Sequence, residues 1–167
     1  MSSNKMFQLE LDKVVLHCST ADQQKLERYM NLLKLISGKK PIKTKARKRI
    51  PTFKVRPGLP IGCKVTLRKA DAARVLKTVL TGITELEEDN FGEGYLNFGI
   101  KEYIEIQAIE FRRDIGILGF DVTAVLARKG FKIDERKRKR SKIGNKHKIS
   151  QEETIEFFKQ NFEVKLK

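Results

Sequence analysis

The side chains with most to offer chemically are cations, and they fall into two blocks. Lys39, Lys40, Lys43, Lys45, Arg47, Lys48, Arg49, Lys54 and Arg56 follow one another with no acid between them. Ammonium and guanidinium groups at this density repel one another unless an anion lies beside them. Phosphate is the anion that both groups hold through charge-assisted hydrogen bonds. Pro41, Pro51, Pro57 and Gly58 interrupt the stretch. Proline lacks an amide donor and restricts the residue before it, so a basic amphipathic helix is excluded. A long loop over residues 39–60 is expected instead, with a short strand at 42–44. The second block lies in a loop expected over 132–149 and carries Arg136, Lys137, Arg138, Lys139, Arg140, Lys142, Lys146 and Lys148. No acid stands among these eight either.

Other chemistry is thinly represented. The histidines are His17 and His147, and neither lies in an HExxH or CxxC context. His17 and Cys18 are adjacent in strand-like sequence, so their side chains point to opposite faces and make a poor nucleophilic pair. Cys18 and Cys63 lack metal-ligand spacing and read as small buried hydrophobes suited to a reducing compartment. There is no P-loop and no GxGxxG. Glu102 with Glu105, and Glu152 with Glu153, fit helix caps or solvated surface. No catalytic residue, metal site or cofactor is expected, and the chain does not read as an enzyme.

The elements that must position the cations follow from periodicity. Phe7, Leu9 and Leu11 alternate with polar residues before an apolar run, which predicts a strand whose firmest part is 13–18. Ser19 or Thr20 is placed to cap a helix whose stripe is Leu26, Tyr29, Met30, Leu33 and Ile36, and Gly38 is placed to end it. Residues 61–68 alternate again. Ile61, Cys63, Val65 and Leu67 make an apolar face, while Lys64, Thr66 and Arg68 face the other way, as an RNA-facing surface requires. A helix is predicted over 71–86, strands over 95–100, 103–106 and 116–127, and a turn or bulge at Gly116 and Gly119. Ser150, with Glu153 in the capping-box position, opens a final helix over 151–161 that ties down the far end of the second basic block.

Charge sets the class of partner. Lys+Arg number 36 against Asp+Glu 21, giving a net charge of +15 and a pI of about 9.9. The partner is a polyanion, with nucleic acid ahead of an anionic membrane. No apolar run approaches the ~20 residues needed to span a bilayer, so no membrane role is expected. The N-terminal segment has no apolar core of a secretory signal. Aromatic residues near the cations are few, Phe53 and Phe131, so stacking on single strands is not the main mode expected. Backbone and 2′-hydroxyl recognition of structured RNA by a two-pronged clamp fits better. A nonspecific RNA-binding or chaperone protein and an RNA-processing factor are the alternatives. One domain is expected over residues 1–167.

The stretch SGKKPIKTKARKRIPTFKVRPGLPIGCKVTLR resembles the signature of the large-subunit ribosomal protein L-five family, called protein eleven in eukaryotic naming. NFGIKEYIEI and DIGILGFDVTAVLARKGF resemble two further family segments, and KRSKIGNKHKIS with the helix after it is similar to the archaeal and eukaryotic cytosolic branch. The resemblance implies an α+β fold with two layers, a mostly antiparallel sheet with helices packed on one face and two long basic loops. It implies a structural constituent of the large ribosomal subunit, ribosome-bound in the cytoplasm and assembled through the nucleolus in a eukaryote. Implied partners are 5S rRNA in the central protuberance, large-subunit rRNA, peptidyl-site tRNA, the L-eighteen-type ribosomal protein and a small-subunit head protein across the subunit bridge. By motif position, 5S rRNA recognition falls on Lys13, His17, Lys39 and Thr66, with Lys43, Lys64, Arg68 and the second block as further rRNA contacts. The tRNA contact falls on Lys45, Arg47, Lys48, Arg49, Lys54 and Arg56. His17 stands where the family usually has Asn, and Lys39 where it has Gln. Cys18, Ser19, Thr20, Ala21 and Asp22 replace a Gly-rich turn.

Overall fold

The computed structural model describes residues 4–83, 85–162 and 164. Its first strand, β1, spans Leu9–Ser19. The apolar residues of this segment change phase, from Leu9 and Leu11 at odd positions to Val14, Leu16 and Cys18 at even ones. An unbroken strand would turn one of these sets away from the core. The register shift between Leu11 and Lys13 absorbs the extra residue as a β-bulge.

The chain continues as α1 (Gln23–Ser37), β2 (Ile42–Lys45), β3 (Pro60–Arg68), α2 (Lys69–Leu80), β4 (Phe91–Gly92), β5 (Tyr95–Ile100), β6 (Phe120–Arg128), α3 (Lys132–Glu135) and α4 (Gln151–Phe162). The six strands form one sheet in the order β2-β3-β1-β6-β5-β4, antiparallel at every described pairing. Val14, Leu16, Leu67, Ala124 and Leu96 are fully or almost fully buried on one face. On that face α1 and α2 cover β1 and β3. At the β4 end, Phe158 of α4 packs on Phe91 with ring centroids 6.1 Å apart. The expected α+β architecture, with helices on one face of an antiparallel sheet, is what forms.

Several boundaries differ from expectation, each for a local reason. Asp22, rather than Ser19 or Thr20, caps α1 by accepting from the Gln24 amide at 2.9 Å. The two earlier residues are still tied to the sheet, Thr20 donating to the Ile61 carbonyl at 2.8 Å. Gly38 ends α1 in the left-handed region, at φ 68. The second helix stops at Leu80 instead of 86. Gly82 follows in a turn, donating to the Val79 carbonyl at 3.2 Å, and lies against the Glu105 backbone, where a Cβ would sit 3.1 Å from the carbonyl. Residues 103–106 form a 3-10 turn and not a strand, with Tyr103 fully buried and its hydroxyl accepting from the Arg112 amide at 2.9 Å. The strand expected from 116 begins at Phe120, since Gly116 turns at φ 75 and Gly119 passes close to the Ile100 and Lys101 carbonyls.

The two basic segments are not open loops. In the first, Ala46 and Gly58 bond to Leu59 and Ala46 respectively, and Ile50 bridges Val55 around a 3-10 turn at Pro51–Phe53. Pairing of β2 with β3 continues into this extension, so the segment is a projecting hairpin. Pro41 and Pro57 sit outside the paired strands and Pro51 at the turn, while Pro60 opens β3 opposite Lys45, the position in a strand where proline is tolerated. The second segment contains α3 and a 3-10 turn at Asn145–His147 before Ser150 opens α4. Ser150 and Glu153 form the reciprocal capping box, at 3.3 and 3.1 Å.

Candidate nucleic-acid interface

The face of the sheet away from the helices is built by cross-strand register. Lys13 stands opposite Arg68, Val15 opposite Thr66 and His17 opposite Lys64. Paired residues share a face, so these two strands place three cations, a hydroxyl and an imidazole in one patch. On the other side of β1, Asp121, Thr123 and Val125 of β6 stand opposite His17, Val15 and Lys13. Asn97 and Tyr95 of β5 extend that row. Ile42 of β2 pairs with Lys64 and is 66% exposed. The face is cationic over β3 and β1 and polar but uncharged over much of β6 and β5.

Several of the cations hold acids of the same chain. Lys13 lies 3.6 Å from Asp12 and 3.8 Å from Glu135, and Arg68 lies 2.8 Å from Asp12. His17 Nδ1 lies 3.5 Å from Asp121. Asp12 and Lys13 are half-buried and the other members exposed, and pairs this accessible to water are worth about 0–1 kcal/mol, so phosphate can displace the carboxylates at little cost. Lys64 forms no ion pair among the described residues and stands exposed within the patch.

Lys39 and Lys43 lie off this patch. Lys39 follows the α1 cap and pairs with Asp71, in the first turn of α2, at 2.6 Å. The hydrogen bond and charge of Lys39, aided by Arg74, hold the Asp71 carboxyl below its ordinary range. Lys43 is one residue on from Ile42, so strand alternation turns it to the opposite face from Lys64. Lys45, Arg47, Lys48, Arg49, Lys54 and Arg56 belong to the projecting hairpin, whose tip carries Phe53 at 68% exposure. Lys54 itself takes the left-handed turn position, at φ 54.

The second basic segment is anchored by a residue that sequence reasoning missed. Arg128, at the end of β6, is 7% exposed. Its guanidinium donates to the Lys146 and Lys148 carbonyls at 3.4 and 3.2 Å and to Glu153 at 2.6 Å, and it lies over the Phe7 ring. Ile149 is buried beside Gly94, and His147 bonds the Lys129 carbonyl at 3.0 Å. The backbone is thereby fixed while Arg136, Lys137, Arg138, Lys139, Arg140, Lys142, Lys146 and Lys148 stay exposed. Arg140 pairs with Asp134 at 3.2 Å. Nothing in the local sequence marks Arg128 out, because a final strand residue facing the core is ordinarily apolar. Cys18 and Cys63, remote in sequence, are cross-strand partners on the buried face, and their hydrogen bond and burial hold the Cys18 thiol well above its ordinary range.

Family comparison decides what this surface belongs to. Residues 4–56 match the family model for ribosomal protein L5, and residues 60–157 match the model for the C-terminus of the same ribosomal family. The chain belongs to the ribosomal protein L5 family. It is 35% identical over 164 residues to the large ribosomal subunit protein uL5 of Nanoarchaeum equitans, covering 96% of this chain and 97% of the relative. The uL5 protein of Sulfolobus acidocaldarius is 38% identical over 164 residues, with 96% and 92% covered. That of Methanococcoides burtonii is 36% identical over 168 residues, with 98% and 99% covered. Members of the L5 family are structural ribosomal proteins of the large subunit, not enzymes. Among the described residues no helix is long and apolar enough to cross a membrane.

Proposed function

We propose that this L5 family member holds 5S rRNA of the large subunit on its open sheet face and reaches peptidyl-site tRNA with its basic hairpin. The observation that carries the reading is the register that sets Lys13, His17, Lys64, Thr66 and Arg68 side by side on two paired strands. A flat row of cations with an interspersed hydroxyl suits the phosphates and 2′-hydroxyls of a structured RNA. The hairpin, basic along its length and apolar at its tip, projects beyond that face and suits a second RNA. Lys39 and Lys43, off the face, serve adjoining large-subunit rRNA, as does the second basic segment. The L-eighteen-type protein and a small-subunit head protein complete the partners, and the bound site is the cytoplasmic ribosome.

The test is 5S rRNA binding across a salt series. Substituting both Lys64 and Arg68 with Ala should weaken binding and reduce the salt slope by about 2, near 0.9 for each lost phosphate contact. An unchanged affinity and slope would show that the RNA lies elsewhere on the protein.

A further inference from the structure

The mostly uncharged half of the open face ends in a cleft of about 810 Å³, roofed by the second basic segment. Tyr95, Asn97 and Thr123 form its floor, and Phe131, Asn145 and Lys148 are among the residues of its walls. We infer that this cleft takes a single unpaired nucleotide, with the base on the Tyr95 ring and the phosphate on Lys142 and Lys148.

Three observations support this assignment. The Tyr95 ring lies against the backbone of Gly92 and opens onto the cleft. It lies so close over Gly92 that a Cβ there would overlap the ring, and the residue remains 44% exposed. An aromatic ring with a free surface is what base stacking needs. The cleft also has the polarity of a nucleotide. Asn97, Asn145 and Thr123 offer neutral donors and acceptors to a base edge, while Lys142 and Lys148 line the cleft beside them. Its acids, finally, are specific. Asp134 is engaged by Arg140, leaving Glu93 as the carboxylate for an incoming group. A carboxylate accepts readily from an exocyclic amine, which projects beyond the ring edge, and less readily from the uracil N3–H, which lies between two carbonyls that repel it.

This deepens the RNA-binding reading and rests on it, so the test must separate the two. The full chain is titrated into two short RNA hairpins, one fully paired and one with a single unpaired 2-aminopurine, an amine-bearing fluorescent base. The bulged hairpin should bind on the order of tenfold tighter, with its fluorescence quenched by stacking. Tyr95→Ala should reduce its affinity to that of the paired hairpin and leave the latter unchanged, while Tyr95→Phe should retain the preference. An unpaired uridine in place of 2-aminopurine should lose most of the gain; if it does not, the role of Glu93 is wrong. Equal binding of both hairpins, or a preference that survives Tyr95→Ala, would overturn the nucleotide site and leave the sheet-face reading standing. Failure to bind either hairpin at low salt would overturn both.

Discussion

Replacing Arg128 with Met removes a buried guanidinium while keeping a long apolar stem. The guanidinium donates to Glu153 at 2.6 Å and to the Lys146 and Lys148 carbonyls at 3.4 and 3.2 Å. Net hydrogen-bond contributions run about 0.5–1.5 kcal/mol, rising to about 1.5–3 where a charge is involved. The full penalty for breaking a buried ion pair, about 3–5 kcal/mol, does not apply, because the Glu153 side chain is 41% exposed and water can solvate it. Discounting one long bond, the loss should be about 3 kcal/mol. For a chain of 167 residues that corresponds to a fall in Tm of about 6–12 °C. Arg128→Lys should fall between, since an ammonium can reach Glu153 but loses the planar fork that serves the carbonyls. Thermal unfolding supplies the magnitude. Limited proteolysis supplies the location, with cleavage appearing first between Arg136 and Lys148. A Tm within about 2 °C of the parent, with no new cleavage there, would refute the anchoring role.

Three further outcomes follow from the same structure. Neutralising Arg47, Lys48 and Arg49 together should spare 5S rRNA binding by the isolated protein, because the hairpin projects beyond the sheet face, and should impair tRNA contact in assembled ribosomes; filter binding and tRNA footprinting separate the two. Gly119→Ala should prevent normal folding, since its Cβ would lie 2.5 Å from the Ile100 and Lys101 carbonyl oxygens, and a wild-type circular-dichroism melt would contradict that packing. Asp71 should titrate below its ordinary value of 3.8 and move upward in Lys39→Met. Because the folded value is depressed, the pair stabilises the fold above the ordinary carboxylate range and is lost as pH falls through the lower value. A carbon-detected NMR titration with its midpoint at or above 3.8 would contradict the pair.

The strands and helices with strong periodicity were readable from the chain, and so was the face each residue would take. The alternation of Cys63, Val65 and Leu67 against Lys64, Thr66 and Arg68 already divided β3 into a buried and an exposed side. What one sequence could not supply was strand order. Only the placement of β1 between β3 and β6 brings His17 next to both Lys64 and Asp121. The same limit hid the Lys39–Asp71 pair and the cross-strand cysteines, each made by segments far apart in the chain. The hairpin was missed because proline argues against strand locally, while the ladder from Ala46 to Leu59 depends on β3 for its anchor. The start of α1 at Asp22 was set by a tertiary constraint, Ser19 and Thr20 still being paired with β3.

The central claim is that the open face selects a particular structured RNA and does not merely attract charge. Competition binding of the purified chain to 5S rRNA, tRNA and an unrelated structured RNA, at near-physiological salt, tests it most directly. The account predicts a clear preference for 5S rRNA that disappears when Lys64 and Arg68 are both replaced by Ala. Equal affinity for all three RNAs would contradict it, since binding would then follow from net charge and not from the row of side chains that β1 and β3 align.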